Sequence, residues 1–254
     1  MKLQGKVAIV TGASRGLGKA MAVGLAAQGA EVVVVARTET EKEHLPGTIH
    51  QTAEEIRALG RRALAVRCDV GNEQDVEEMV RRTVQELGRI DVLVNNAGIA
   101  IYAPIMELPL RRWELVLRVN LTGTFLCSRA VLPHMVAQRR GSIINLSSVE
   151  GDLRARSTLR TGVVYGVTKH AIERFTYGLA AEVGQYNIAV NCLKPKWAVD
   201  TEGMRYLNPD SDRRGWDTAD MMVKAAVFLA CQDASGVTGI VATDEELCQW
   251  HALI

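Results

Sequence analysis

The sequence predicts an α/β fold, a single domain over residues 1–254 built on a doubly wound parallel sheet. Three observations carry this. Short apolar runs alternate with amphipathic helical stretches along the whole chain. The runs are continuous rather than alternating with polar residues, as in strands covered on both faces. The first run ends in a glycine-rich turn that opens a helix, Thr11-Gly12-Ala13-Ser14-Arg15-Gly16-Leu17-Gly18. A chain of 254 residues is long enough to bury one large core, and no repeat, linker or composition shift divides it.

In order, Val7–Val10 reads as a buried strand closed by Thr11 and Gly12. Leu17, Ala20, Met21, Gly24 and Leu25 then recur with helical spacing, and Gly29 stops that helix. Glu31–Ala36, with four consecutive valines, is the second strand. Thr52–Leu59 predicts a helix with a capping box of Thr52 and Glu55 and a stop at Gly60. Ala63–Cys68 is the third strand, Glu73–Leu87 a helix and Ile90–Val94 the fourth strand. Leu110–Arg139 is a long helical stretch in which Pro133 predicts a kink or restart. Ser142–Leu146, a helix over Tyr165–Tyr186, Ile188–Leu193, a helix over Asp217–Cys231 and a short strand at Gly239–Thr243 complete the series. Right-handed crossovers make this a Rossmann-type sheet.

Composition narrows the function. The chain is 48% hydrophobic and 23% charged, which excludes extended disorder. Thirty Lys and Arg against 29 Asp and Glu leave a net charge of +1, without the basic excess of a dedicated nucleic-acid binder. No apolar run approaches the roughly 18 residues that span a bilayer, and the run at Val7–Val10 is too short for a signal-peptide core. The five cysteines are scattered, with no CxxC, HExxH or Cys/His ligand spacing, so neither a disulfide framework nor a metal site is expected. The expectation is a cytoplasmic protein that binds neither nucleic acid nor membrane.

The glycine-rich turn lies at a strand–helix junction. Glycines there let backbone approach a phosphate, and the free N–H groups at the helix start favour an anion. The same glycines would also serve tight strand–helix packing alone. At the end of the second strand, where NAD-preferring folds place an acid on the adenosine ribose, stand Ala36 and Arg37. With Arg15 inside the turn, two guanidiniums and no competing carboxylate suit a 2′-phosphate, so NADP(H) is expected over NAD(H). Downstream, Tyr165 and Lys169 stand i and i+4 on one helix, placing phenol and ammonium on one face. A lysine there can lower the tyrosine pKa by charge and fit it for proton transfer.

Taken in order, several motifs resemble the short-chain dehydrogenase/reductase family over essentially the whole chain. They are Thr11-Gly12-xxx-Gly16-x-Gly18, Cys68-Asp69-Val70, Asn95-Asn96-Ala97-Gly98, Val119-Asn120, Ser147-Ser148 and Tyr165-xxx-Lys169. The resemblance implies an NADP(H)-dependent oxidoreductase that interconverts a carbonyl and a secondary alcohol. Tyr165 would be acid and base, Ser148 would hold the substrate oxygen, and Lys169 would hold the nicotinamide ribose and keep the phenol acidic. Asn120 would hold a water that relays protons to Lys169. Gly12, Ser14, Arg15, Gly16, Leu17, Gly18, Arg37, Asp69, Val70, Asn96, Ala97, Gly98 and Thr201 would contact the cofactor. Asn95 and Asn96 would equally serve to tie the central strands together, and Asp69 to cap a turn. The partner implied is a small-molecule carbonyl or alcohol, and self-association as a homotetramer or homodimer is expected, with Trp250 and Leu253 exposed near the end. The alternative is a non-catalytic dinucleotide-binding sensor or scaffold, which commonly lacks the tyrosine or lysine retained here.

Departures from the family pattern are informative. Sixteen residues separate Ser148 from Tyr165, more than the family's usual spacing, and they include Arg154, Arg156 and Arg160. A basic rim there would select an anionic substrate; a solvated loop explains the charges equally well. Leu193-Lys194-Pro195-Lys196-Trp197 carries Lys196 where the family has a glycine, and with the long connection after Arg37 it resembles the hydroxysteroid dehydrogenase-like branch. The ending Ala242-Thr243-Asp244-Glu245-Glu246-Leu247 replaces an Asp-Gly-Gly pattern. Ile99, Ile101, Tyr102, Trp197 and Met204 predict a hydrophobic substrate pocket.

Overall fold

A computed structural model describes residues 1–41, 43–152 and 162–253; Arg154, Arg156 and Arg160 lie outside them. Seven parallel strands form one sheet in the order β3-β2-β1-β4-β5-β6-β7. They are β1 Val7–Thr11, β2 Glu31–Ala36, β3 Ala63–Arg67, β4 Val92–Asn95, β5 Gly141–Leu146, β6 Ile188–Lys194 and β7 Val241–Thr243. The order reverses between β1 and β4, which opens a crevice at the carboxyl ends of those two strands.

The period of two along each strand divides the core into two faces. Ala8, Val10, Val32 and Val34 pack against Met21 and Leu25 of α1 (Gly16–Ala27), Ile56 of α2 (Ile49–Ala58) and Met222 of the Asp220–Ala230 helix. Ile9, Val33 and Val35 face the other way, onto Val76 and Met79 of α3 (Glu73–Leu87) and Met135 and Val183 of two later helices. The four consecutive valines of β2 therefore serve both layers, the reason that strand shows no polar alternation.

Two elements differ from expectation. The helix predicted from Thr52 begins at Ile49, and its capping box is Thr48 with Gln51 rather than Thr52 with Glu55. Thr52 is buried one turn inside, with its hydroxyl on the Thr48 carbonyl at 3.3 Å. The helical stretch from Leu110 does not restart at Pro133. It runs as α4 (Leu110–Val116), a π segment at Leu117–Thr122 and α5 (Gly123–Gln138), with Pro133 inside α5. Pro133 faces solvent, where water can satisfy the Arg129 carbonyl that its ring leaves unpaired. The irregularity sits instead around Asn120, where the Gly123 N–H reaches back five residues to Arg118. This stretch, among the described residues, has the length and apolar content of a bilayer span, but half of its most apolar window is buried within the protein, as in a core helix.

After α6 (Val163–Val183) and β6, two short helices appear that the sequence pattern did not announce, α7 (Glu202–Leu207) and, after α8 (Asp220–Ala230), α9 (Asp244–Trp250). Two backbone bonds, Asp200 N–H to Asp217 O at 2.9 Å and Asp217 N–H to Ala198 O at 2.7 Å, clamp the base of the excursion that carries α7. Helix α9 starts from a Thr243–Glu246 capping box within the atypical ending. Trp250 is exposed as expected, whereas Leu253 is half-buried.

Candidate active site

The turn between β1 and α1 is fixed by contacts within the protein. Gly12 has φ +66, and a Cβ there would stand 2.8 Å from Asn96 Nδ2; a Cβ on Gly18 would stand 2.3 Å from the Gly12 carbonyl oxygen. Strand–helix packing thus accounts for both glycines without a ligand. Gly16 differs. Its N–H, at the open start of α1, donates to the Glu202 carboxylate at 2.9 Å. An anionic group already sits on this amide, so the donor suits a phosphate. Ser14 is buried in the turn, and Leu17 lines the adjoining cavity.

Thr11 joins the turn to the end of β4. Its hydroxyl accepts from the N–H groups of Asn96 and Ala97, each at 3.0 Å, and donates to Val94 O at 3.2 Å. Asn96 Nδ2 returns to the Thr11 and Gly12 carbonyls at 2.9 and 3.2 Å. Asn95 points inward, donating to Ser128 Oγ and Asn145 Oδ1 at 3.0 and 2.9 Å, while Asn145 Nδ2 continues to Thr176 Oγ1 at 3.0 Å. Both asparagines therefore tie strands together, the simpler of their two readings. Asn96 and Gly98 also line the cavity.

Beyond the Gly98 backbone stand Asn120, Tyr165 and Lys169. Asn120 is fully buried, and its amide is committed: Oδ1 accepts from Ile99 N–H at 2.8 Å, while Nδ2 donates to Ile99 O and Thr168 Oγ1 at 3.0 Å each. Its main-chain carbonyl takes the Thr124 hydroxyl at 2.8 Å. Lys169 Nζ donates to Leu146 O at 2.7 Å and lies 5.5 Å from the Tyr165 ring centroid. Burial pulls the Lys169 ammonium down to about 8, against the opposing pull of Cys192 and Glu173. Burial pushes the Tyr165 phenol upward, as do Tyr102 and Glu150, and a hydrogen bond with Ser148 is what favours its ionised form. In this arrangement the ammonium is directed at a carbonyl, and burial dominates the phenol. Ser148 caps the turn Val149–Gly151 and accepts from the Glu150 N–H at 3.3 Å.

The two guanidiniums expected to flank a 2′-phosphate are partly engaged. Arg15 donates to the Pro46 and Gly47 carbonyls at 2.7 Å each, fastening the long connection after Arg37 onto the turn. Arg37 is exposed and lies 3.8 Å from an Asp69 oxygen, so a carboxylate does compete for it. Sequence order hid this neighbour because Asp69 arrives from β3 and Arg37 from β2. Asp69 also accepts the Gly71 N–H at 3.0 Å, closing its own turn. The Val70 side chain is buried beside Gly123, where a Cβ would stand 2.8 Å from it.

A cavity of about 590 Å³ brings Ser148, Tyr165 and Lys169 together with Leu17, Asn96, Gly98 and Thr201. Among the described residues its outer wall is apolar, with Ile99, Tyr102, Trp197, Met204, Leu207 and Trp216, and Glu150 and Lys196 are the charged residues on it besides Lys169. Ile101 of the expected wall is not among the lining residues, whereas Trp216 is. Lys196 needs no glycine-like backbone, for the left-handed non-glycine residues among those described are Arg139, Asn187 and Ala252. Its N–H donates instead to the Asp244 carboxylate of α9 at 2.8 Å, so the atypical ending and the atypical Pro195-Lys196 pair support each other. Thr201 caps α7 and packs on Gly16. Among the described residues no cluster of His, Cys, Asp and Glu could hold a metal ion.

Comparison with known proteins agrees with this geometry. The family described as short chain dehydrogenase matches residues 6–212. Hydroxysteroid dehydrogenase-like protein 2 of Danio rerio is 35% identical over 247 residues, 97% of this chain, and the chain spans 58% of that relative's length. Short-chain reductase protein NovJ of Streptomyces niveus is 39% identical over 96% of this chain and 84% of its own. The crystal structure of a gluconate 5-dehydrogenase from Burkholderia cenocepacia in complex with NADP and tartrate superposes with a TM-score of 0.81 at 33% identity, covering 95% of this chain and 94% of that one.

Proposed function

The chain belongs to the short-chain dehydrogenase family, a family of NAD(P)(H)-dependent oxidoreductases acting by hydride transfer, and from this premise we propose that it interconverts a small carbonyl compound and its secondary alcohol with NADP(H). The observation that carries this reading is the convergence of Ser148, Tyr165 and Lys169 in one cavity beside the glycine turn. The nicotinamide cofactor, when bound, supplies the hydride chemistry. The Gly16 amide and the rest of the turn, Gly12, Ser14, Leu17 and Gly18, would hold its phosphates, and Asn96, Ala97, Gly98 and Thr201 its nicotinamide half.

In the direction of reduction, Ser148 donates to the substrate oxygen and stabilises the charge that develops there. Tyr165 gives that oxygen its proton, and a buried phenol with a raised pKa holds the proton until hydride transfer raises the basicity of the acceptor. Lys169 stays an ammonium, holding the ribose and favouring the phenolate left behind. Asn120 keeps the Ile99 backbone and Thr168 in place around the pair and, in this proposal, positions the water that resupplies the proton. Asp69 and Val70 would border the adenine.

Arg37, with Arg15 behind it, supports NADP(H) over NAD(H), as does the gluconate 5-dehydrogenase complexed with NADP. The preference demands that Arg37 leave Asp69 for the 2′-phosphate. The apolar cavity wall favours a substrate with a hydrophobic body. Exposed Phe125, Val163, Val167 and Tyr177 on α5 and α6 support self-association as a homotetramer or homodimer, which light scattering measures. Five unpaired cysteines suit a reducing, cytoplasmic setting.

The test is turnover of a ketone panel with NADPH and with NADH, followed by absorbance. Higher kcat/KM with NADPH, and its loss in Arg37→Ala, support the cofactor choice; equal efficiency with NADH rejects it. Tyr165→Phe should bind NADPH normally and lose about 10²-fold or more in kcat. A bound cofactor without turnover of any carbonyl or alcohol would favour the sensor alternative.

A further inference from the structure

Behind the tyrosine and lysine lies a buried set of charges that the proposed reaction does not use. Glu173 follows Lys169 by one helical turn on α6 and is 7% exposed. Its Oε1 accepts from Ser147 Oγ at 2.8 Å and lies 3.2 Å from Lys194 Nζ on β6. Lys194, also 7% exposed, pairs in addition with Asp152 just after the turn that Ser148 caps. Ser147 Oγ meets the Lys169 carbonyl as well, at 3.3 Å. Glu173 Oε2 is 3.7 Å from His170 Nδ1, whose hydrogen goes to the Gly151 carbonyl at 3.0 Å.

These contacts converge on the two segments that carry the site. Ser147 is the neighbour of Ser148, and Gly151 and Asp152 end the turn that Ser148 begins. Isolated buried ions are costly, and leaving one partner alone costs more than removing both. A salt bridge at this position therefore needs a reason beyond packing, and its location beside Lys169 provides one. We propose that Glu173 is a positioning residue for the tyrosine–lysine pair: its carboxylate holds Ser147, and with it Ser148, while supplying the negative field that keeps Lys169 an ammonium, with Lys194 as the counter-charge.

Among the described residues, the titratable groups around Lys169 are Tyr165 and Glu173 on α6 and Cys192 on β6, with Glu150 and Lys196 on the wall of the same cavity; Lys194 of β6 pairs with Glu173, and Asp152 and His170 meet Lys194 and Glu173 from the far side. Glu173 acts on Lys169 by attraction and Lys194, paired with Glu173 at 3.2 Å, offsets that charge, so removing one or the other must move Lys169 in opposite directions. Burial already places that ammonium near 8, where either change falls within an assayable range.

The inference rests on the proposed role of Lys169 in turnover, so the experiment has two readouts. The first is the alkaline limb of kcat/KM for ketone reduction. The second is the titration of the Lys169 side chain by NMR of ¹³C-lysine-labelled protein, assigned by difference against Lys169→Arg, which needs no substrate. Glu173→Gln should shift both midpoints down by roughly half to one pH unit, and Lys194→Met should shift both up by a similar amount. Glu173→Gln/Lys194→Met should return near the unaltered protein and serves as the folded control, because it leaves no unpaired charge buried. Midpoints that stay fixed, or that move the same way in both single variants, would overturn the proposal and leave the pair a packing feature. NMR shifts of opposite sign without ketone turnover would uphold the field of Glu173 while rejecting the ketone-reductase reading. If neither single variant folds, Ser147→Ala decides the positioning half: kcat must fall with the alkaline midpoint unmoved, and unchanged kcat rejects it.

Discussion

Glu202 accepts the Gly16 amide on which a dinucleotide phosphate would settle, and the same residue begins α7, whose Met204 and Leu207 line the cavity. Cofactor entry must therefore replace a charge-assisted hydrogen bond, and in doing so it frees one end of α7 from the turn. Glu202→Gln keeps the shape of the side chain and removes its charge. Giving up a partly exposed bond of this kind is worth about 1 kcal/mol, so the dissociation constant for NADPH should fall roughly fivefold, read by quenching of tryptophan fluorescence. Unchanged or weaker binding would show that the carboxylate does not compete. At the same scale, Tyr165 and Lys169 share a helix face by spacing, but their roles and that of Ser148 were legible only through the family resemblance of the ordered motifs; the structure brings the three into one cavity. Glu202, Glu173 and Lys194 were not legible. Glu202 reaches Gly16 across 186 residues, and Glu173, though one turn from Lys169, meets Ser147 and Lys194 across tertiary contacts that no periodicity marks.

Among the elements, β2 and α3 fall where the sequence puts them, since an unbroken valine run and a strongly amphipathic stripe leave little alternative. The start of α2 was misplaced because two Ser/Thr-type caps compete within five residues. Thr48 with Gln51 wins over Thr52 with Glu55, and burial of Ile49 adds an apolar contact that only the longer helix provides. The consequence is measurable. Thr48→Ala removes the hydroxyl that accepts the Gln51 N–H at 3.1 Å and should cost about 1 kcal/mol, a fall in Tm of roughly 2–4 °C, by calorimetry. Thr52→Ala leaves the cap intact and should differ in mechanism, affecting packing without helix fraying at Ile49 in hydrogen exchange. Equal loss of protection at Ile49 in both variants would contradict the assignment. Helix α7 escaped sequence reading because six residues carry too few turns to show a period, and its cap, Thr201, reads equally well as a cofactor contact.

Across the whole molecule, the two ends of the sheet do different work. The carboxyl ends of β1, β4, β5 and β6 carry the candidate site, with its glycine turn and buried charges. At the opposite end Asp91, just before β4, joins three strands. Its carboxylate accepts from Val7 N–H at 3.0 Å, from Arg89 through two bonds of 2.7 Å and from Lys6 at 3.1 Å, while its carbonyl accepts from Ser142 N–H at 2.9 Å. Burial alone would push the Asp91 carboxyl up, but the bonds from Arg89, Val7 and Lys6 outweigh it and hold the group below the usual carboxylate range. A depressed carboxylate contributes stability that is fully present above its unfolded pKa of about 3.9 and is lost as pH falls through the folded value. Asp91→Ala leaves the buried Val7 amide unpaired and two cations without a partner. Because Arg89 and Lys6 keep some access to water, the cost is nearer 2 kcal/mol than the full penalty of a buried ion pair. Urea unfolding should show that deficit at pH 7, and it should shrink as the pH is lowered below about 4, where the unfolded chain's carboxyl takes up a proton while the native one stays ionised to lower pH. NADPH affinity should not change, since the substitution lies at the far edge of the sheet. A deficit that persists undiminished at low pH would assign the role of Asp91 to packing, and weakened cofactor binding would show that the two ends are coupled through the strands.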